Sequence, residues 1–161
     1  MLKSGDWIEI RSKQEILATL DSKGSLDGLP FMPEMFQHCG KRFRIYKRAH
    51  KTCDTVTGSG GRRLPEGIHL DLRCDGKAHG NCQAACLLFW KEAWLKPIGE
   101  AAAALSAQGN SETCVGCSEQ QVRDATTYQH LGSTRYACQA TEFPHYTSRL
   151  RWWNLLRYLE D

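Results

Sequence analysis

The sequence lacks any apolar stretch of the roughly 18–20 residues that a membrane-spanning helix requires. Residues 1–6 are not followed by the apolar segment of a secretory signal peptide. Also absent are a P-loop, a dinucleotide-binding glycine motif, a Gly-x-Ser-x-Gly turn and a His-Glu-x-x-His helix. These absences predict a cytoplasmic protein that does not enter membranes, and they give no support to the enzyme classes that those motifs mark.

Net charge is low as well, at +3 in a chain of 161 residues. Basic residues do gather between residues 41 and 51, with Phe43 and Tyr46 interleaved. Such a run could contact the phosphates and bases of nucleic acid, but the solvated face of a strand explains its alternation more simply. We therefore expect a protein partner or a small molecule rather than nucleic acid.

Cysteine, in contrast, is abundant, with eight residues in a chain that is only 41% hydrophobic. Proteins with modest cores often gain stability from a bound metal. Three cysteines and His79 fall within residues 74–86, and sulfur and imidazole donors at this density suit zinc or an iron–sulfur cluster rather than calcium or magnesium. In a reducing compartment we expect thiols or metal thiolates, and disulfides in a secreted domain are the less favoured alternative.

Hydrophobic periodicity predicts an α+β fold in which a part rich in strands precedes a mostly helical part. Strands are predicted at residues 7–10, 41–47 and 68–72, with a strand or extended segment at 135–140. Helices are predicted at 13–20, 83–95, 119–127 and 150–159, with a weak helix or linker at 101–107. The short strands and the glycine-rich loop at 55–63 resemble those of an SH3-like barrel. We therefore predict an SH3-like β-barrel over residues 1–72 and a Cys-rich, metal-stabilised, mostly helical part over residues 73–161, packed as one compact unit.

The first group of candidate metal ligands is Cys74, Cys82 and Cys86. Cys74 ends a predicted strand, and the following Asp-Gly turn folds the chain back. Cys82 and Cys86 are four residues apart, so they share one face at the start of the predicted helix 83–95. The positive end of that helix would favour the thiolate form, which is the form that binds metals.

A fourth donor for this group must come from elsewhere. Cys53 is the best remote candidate because it also follows a predicted strand, and His50 and His69 are alternatives. His79 is a ligand, a hydrogen-bonding neighbour of the ligands or an ordinary loop residue.

A second group of candidate ligands begins with the Cys-x-x-Cys pair Cys114 and Cys117. Such a pair is typical of a metal knuckle or a redox dithiol, but a thioredoxin-like context is not evident. Cys138 and Cys39 would complete a second four-ligand site. Alternatively, both groups contribute to one cluster, and the spacing does not decide between these arrangements.

Two resemblances accompany these patterns. The segment CDGKAH at residues 74–79 is similar to the Cys-Asp-Gly-Ser-His element of CDGSH iron–sulfur proteins. The strings RAHKTCD at 48–54, LRCDG at 72–76, FWKEAWLK at 89–96 and CQATE at 138–142 resemble those of a Cys/His-rich family of uncharacterised bacterial proteins. The second resemblance implies a bacterial cytosolic protein and supplies no reaction.

The sequence supports three functional hypotheses. The favoured one is an accessory or binding module that holds zinc through clustered Cys and His ligands. The alternatives are an iron–sulfur redox protein or enzyme, and a zinc- or iron-dependent enzyme with an open metal position. Whether the protein catalyses a reaction is left open by the sequence.

Overall fold

The computed structural model describes residues 1–54, 58, 60–99 and 116–150. Three α-helices are present in these ranges: α1 (Lys13–Thr19), α2 (Glu119–Asp124) and α3 (Phe143–Tyr146). Single 3₁₀ segments cover Pro33–His38, Lys77–His79 and Glu92–Trp94. The strands are β1 (Trp7–Ile10), β2 (Ser25–Leu26), β3 (Leu29–Pro30), β4 (Arg42–Arg44), β5 (Lys47–Arg48), β6 (Lys51–Asp54), β7 (Gly60–Arg63), β8 (Gly67–His69), β9 (Trp90–Lys91), β10 (Leu95–Pro97), β11 (Thr127–His130), β12 (Ser133–Tyr136) and β13 (Ser148–Arg149).

The first two predicted elements are confirmed, and local sequence explains both. β1 alternates as a half-buried strand should, with Ile8 and Ile10 buried and Trp7 exposed. α1 begins at a capping box, in which the Glu15 amide donates to Ser12 Oγ at 3.3 Å and the Ser12 amide donates to Glu15 Oε2 at 2.9 Å.

The predicted SH3-like barrel is wrong. The strands form three small three-stranded sheets, in the orders β10-β1-β4, β5-β8-β9 and β13-β7-β6, and two hairpins, β2-β3 and β11-β12. Within the described ranges, no sheet closes into a barrel. The predicted strand 41–47 shows the reason: it divides at Ile45, so that β4 pairs with β1 while β5 pairs with β8.

The predicted helical part over residues 73–161 is also wrong in its described portion, which consists mainly of strands and loops. The apolar run at 83–95 forms an irregular segment, β9, one 3₁₀ turn and β10. Its backbone groups bond to other parts of the chain: Leu88 N donates to Leu72 O at 2.9 Å, and Ile68 and Trp90 pair across β8 and β9. Continuous apolar runs occur in buried strands as well as in buried helices, so the pattern alone was ambiguous.

Aromatic side chains fill the centre of the core. Phe31 meets Trp94 edge to face with ring centroids 5.1 Å apart, and meets Trp90 in the same way at 6.2 Å. Both tryptophans are fully buried, and Trp94 Nε1 donates to Thr19 Oγ1 at 3.1 Å.

Among the residues that the structure describes, no helix is both long enough and apolar enough to cross a membrane. The weak helix or linker predicted at 101–107 lies outside these residues, as does the helix predicted at 150–159 apart from residue 150.

The buried side chain of Gln139 connects the segment after β12 to the core by hydrogen bonds. The Oε1 of Gln139 accepts from Phe89 N at 2.8 Å, while its Nε2 donates to Phe89 O at 3.0 Å and to Pro30 O at 2.9 Å. The side-chain amide therefore bonds to three backbone groups, two on Phe89 and one on Pro30.

We predict that Gln139→Ala destabilises the protein by about 3 kcal/mol or more, because each buried backbone group left without a partner costs about 1–3 kcal/mol. Denaturant unfolding would measure this loss. The matched control is Gln129→Ala, which removes an exposed side chain from β11 and should change the free energy of unfolding by less than about 0.5 kcal/mol. Equal effects of the two substitutions would contradict the role assigned to Gln139.

Candidate metal centre

Most of the predicted ligands that the structure describes line a single cavity of about 420 Å³. They are Cys53, Cys74, Cys82, Cys86, Cys138, His69 and His79. The strands β6 and β8, the loop at 74–86 and the segment after β12 each contribute to the wall. Residues that are far apart in the sequence are therefore brought to the same surface.

Backbone hydrogen bonds join the two ends of the loop at 74–86, and we call this paired region the neck of the loop. Cys74 N donates to Cys86 O at 2.9 Å, and Arg73 and Leu87 pair in an antiparallel bridge just outside it. Inside the neck, Gly76 N lies 3.4 Å from Cys74 Sγ, in the orientation of an amide that supports a thiolate ligand. Cys74 and Cys86 are thus fixed relative to each other by the backbone.

A single 3₁₀ turn directs His79 inward. The turn lies between Gly76 at φ +69° and Gly80 at φ +63°, both in the left-handed region that favours glycine. Gly76 also permits a close approach, because a Cβ on it would lie 1.9 Å from the carbonyl oxygen of Cys82. His79 is 6% exposed as a result, and the ring of Tyr136 meets it edge to face at 6.5 Å.

Glu34, Cys74 and His79 form a compact group of donors on the cavity wall, which we call the tight group. One potential ligand atom from each residue lies within 4.8 Å of the other two. The side chains of Glu34 and His79 are each only 4% exposed, and Glu34 Oε2 lies 3.7 Å from His79 Nε2, beyond hydrogen-bond distance. No group in the described part of the chain hydrogen-bonds to either carboxylate oxygen of Glu34 or to either ring nitrogen of His79, although all four atoms are buried.

Sequence reasoning missed Glu34. It lies in the 3₁₀ segment Pro33–His38, where Pro33, Met35 and Phe36 are buried around it. A signal was present, because this is the only charged residue in the run Phe-Met-Pro-Glu-Met-Phe at 31–36. A glutamate is rarely buried unless it is paired, so one inside such an apolar run is a candidate functional group.

The pKa values of Glu34 and Cys74 are both shifted by their surroundings. Burial tends to raise the pKa of Glu34, but the adjacent His79 and Cys74 side chains outweigh it and hold that pKa below its ordinary value. Burial, with a smaller contribution from Glu34, raises the pKa of the Cys74 thiol to about 12. Glu34 is therefore ionised at neutral pH, whereas Cys74 keeps its proton until a cation replaces it.

Four further thiols lie on the same wall, those of Cys53, Cys82, Cys86 and Cys138. Burial raises the pKa of Cys86, and nearby Cys138 and Cys82 raise it further. Cys138 makes a small contribution to the raised pKa of Cys74 and lines the same cavity. Cys82 and Cys86 are exposed, whereas Cys138 is half-buried.

The second predicted group of ligands is not assembled at the cavity as a unit. Cys117 is buried against α1, where its amide donates to Leu17 O at 2.9 Å. Cys39 follows the segment Pro33–His38 and, like Cys117, is not part of the cavity wall. Cys114 lies outside the described residues. Of the three members of this group that the structure describes, Cys138 alone lines the cavity.

His69 has a defined tautomer on the cavity wall. Its Nδ1 lies 2.9 Å from Leu88 O, and because a carbonyl only accepts, the proton is on Nδ1. Burial lowers the pKa of His69, and the charge of Lys47 lowers it further. The ring is therefore neutral at pH 7, with the lone pair on Nε2.

The arginines of the basic run at 41–51 bond within the fold. Arg42 Nε lies 3.3 Å from Glu9 Oε2, and Arg44 Nε donates to Gly5 O at 3.1 Å. Arg48 donates to Leu2 O at 3.2 Å and lies 3.7 Å from Glu92. These contacts tie β4 and β5 to the N-terminal residues.

We predict that Gly76→Ala destabilises the protein by several kcal/mol, because the new Cβ would collide with the backbone of Cys82. Gly40→Ala is the matched control: Gly40 has φ +74°, and nothing lies within 4 Å of the position of its Cβ. The control should cost only the roughly 1–2 kcal/mol of left-handed strain. Denaturant unfolding of the two variants would compare them, and a similar loss in both would show that the approach to Cys82 is unimportant.

Comparison with known proteins yields no match for this chain, whether with protein-family models, curated proteins or solved structures. The assignment of the site therefore depends on its own geometry and chemistry.

Proposed function

We propose that this is a zinc-binding protein in which Glu34, Cys74 and His79 hold the ion on the inner wall of the cavity. The observation that supports this most strongly is the set of four buried heteroatoms on Glu34 and His79 that have no hydrogen-bond partner in the described part of the chain. Buried polar atoms are almost always paired, and an ion is one of the few explanations when they are not. The Cys74 thiol beside them supplies a donor that zinc favours.

The distances within the group fit zinc after small adjustments. Ligand atoms at about 2.0–2.3 Å from a tetrahedral zinc ion lie about 3.5 Å from one another. Glu34 Oε2 and His79 Nε2 are already 3.7 Å apart, and the whole group spans at most 4.8 Å. Small shifts of the three ligand atoms would therefore bring all of them within bonding distance of one zinc ion.

Charge balance supports a divalent ion. A glutamate carboxylate and a cysteine thiolate carry two negative charges, which zinc neutralises while a neutral imidazole adds none. A neutral centre can be buried at far lower cost than the separate ions. Thiolate ligation also requires a reducing environment, so the proposal includes the cytoplasmic location expected from the sequence.

Three protein donors leave room for a fourth ligand, which in zinc proteins is the pattern of a reactive rather than a purely structural site. The group faces a cavity instead of being enclosed on all sides. We therefore favour a zinc ion with one exchangeable position over a fully protein-coordinated one.

An iron–sulfur cluster is the second candidate, and a specific observation favours it. Cys74, Cys82, Cys86 and Cys138 line the same cavity, and four thiolates are the usual ligand set of a cluster. Such a cluster would not use Glu34 or His79, so it would leave their buried atoms unexplained.

We predict one equivalent of zinc per chain in protein purified without air, and little iron or acid-labile sulfide. Cys74→Ser and Glu34→Gln should each weaken zinc binding by about 100-fold or more, because even residues beyond the ligands contribute about 10–100-fold. Competition with a chromogenic chelator would measure these affinities. Cys39→Ser is the matched control and should bind zinc normally, since Cys39 is half-buried but not part of the cavity wall.

Three results would contradict this assignment. Iron with equimolar sulfide and a broad absorption near roughly 400 nm would favour the cluster. Normal zinc affinity in Glu34→Gln would remove Glu34 from the site. Loss of binding in Cys39→Ser would show that the tight group is not the centre.

We also predict that zinc binding releases at least one proton at pH 7, because the raised pKa of Cys74 keeps its thiol protonated in the metal-free protein. The apparent affinity should rise about tenfold per pH unit between pH 6 and 8, since each released proton contributes one unit of slope. Calorimetry in buffers of different ionisation enthalpy would count the protons. Glu34, already ionised, should add none, so Glu34→Gln should release as many protons as the unsubstituted protein, and unchanged proton release in Cys74→Ser would exclude Cys74 as a ligand.

A further inference from the structure

We propose that the cavity binds a small molecule with an apolar body and an anionic oxygen or sulfur head, and that the head occupies the fourth position of the metal held by Glu34, Cys74 and His79. This inference depends on the proposed zinc site. It adds the kind of ligand that the site would take, which neither the donor group nor the thiol pattern specifies.

The apolar body is inferred from the cavity wall. Apart from the thiols, alanine side chains and a few polar groups, the wall is formed by Met32, Leu87, Leu88, Phe89 and Phe143. Its volume of about 420 Å³ lies within the range of small-molecule sites, which is about 300–1,000 Å³. Since apolar surface gains free energy when it leaves water, a ligand with an apolar body of matching size would be favoured.

Gln139 lines the cavity, but both of its Nε2 hydrogens and its Oε1 are already bonded to Phe89 and Pro30. Besides the metal ligands and the other thiols, the remaining polar side chains on the wall are those of His69, Lys47, Thr52 and Thr141. A divalent ion carries the largest local charge among these groups, so the metal would be the main polar anchor. The head must be a group that binds zinc, such as a carboxylate, hydroxamate or thiolate.

His69 and Lys47 add to the recognition of the head. The Nε2 lone pair of His69 is the free side of a ring fixed by its bond to Leu88 O, so it can accept a hydrogen bond from an N–H or O–H on the ligand. Lys47 is another cavity residue, and its positive charge favours an anion. An anionic head that also carries a donor, as a hydroxamate does, has chemistry complementary to the metal, to His69 and to Lys47.

The experiment compares two probes that share one head. Acetohydroxamate and benzohydroxamate carry the same metal-binding group, but only the second has an aromatic body. Each would be titrated into the protein loaded with cobalt(II), whose visible absorption reports changes in coordination. We expect both probes to change the spectrum and benzohydroxamate to bind about tenfold or more tightly, because of the additional apolar area that it buries.

Two variants control for the cavity. Ala140→Leu adds bulk to the cavity wall and should abolish the preference for benzohydroxamate while acetohydroxamate still binds. Ala93→Leu makes the same change at an exposed residue outside the wall and should behave like the unsubstituted protein.

The outcomes separate this inference from the proposed function. If cobalt binds at one equivalent but neither probe changes its spectrum, the fourth position is closed, for example by Cys138, and the ligand proposal is overturned while the metal site stands. Equal affinity for both probes would exclude the apolar cavity as part of the binding site. Failure to bind cobalt or zinc would overturn the proposed function itself.

Discussion

The burial of a carboxylate beside an imidazole, with no hydrogen bond to either in the described part of the chain, is the constraint on which the candidate site depends. Each buried polar group without a partner costs about 1–3 kcal/mol, and a charged one costs more. Glu34 and His79 present four atoms without a hydrogen bond in the described part of the chain, and the 3.7 Å ion-pair contact between Glu34 Oε2 and His79 Nε2 offsets only part of this cost, whereas a whole domain is stabilised by only about 5–15 kcal/mol. A cation between them would convert this cost into a favourable interaction, so folding and metal binding are expected to be coupled.

The surrounding backbone is organised to maintain that arrangement. The neck bond between Cys74 and Cys86 and the left-handed glycines at 76 and 80 fix the position of His79. Asn81 at φ +57° and Ala85 at φ +46° add strain within the same loop. Strained residues of this kind persist only where the rest of the structure determines their conformation, and they concentrate at functional sites. Gln139 also anchors the segment that carries Cys138, so hydrogen bonds hold both this segment and the loop at 74–86 in place.

Local patterns in the sequence predicted local structure well and long-range structure poorly. The alternation at 7–10 and the Ser-x-x-Glu box before α1 depend on neighbouring residues alone, and both predictions are confirmed. The helix predicted at 83–95 is wrong because those apolar residues are buried by pairing with β8 and by contact with Gln139, which no local pattern encodes. The density of cysteines in the sequence indicated the loop at 74–86 as a candidate metal site. Glu34 was missed because it comes from a segment 40 residues earlier that reaches the loop only in the folded chain.

The preference for zinc over an iron–sulfur cluster depends on which candidate ligands are already buried in the fold. Exposed thiols such as Cys82 and Cys86 lose little by remaining free in a reducing compartment, so they do not require a metal. Glu34 and His79 are already buried, so the free-energy cost of removing them from water is present whether or not the exposed thiols bind a metal. A cluster on the four thiols would leave that cost in place, whereas a divalent ion on the tight group removes it. The buried pair, rather than the number of cysteines, therefore favours zinc.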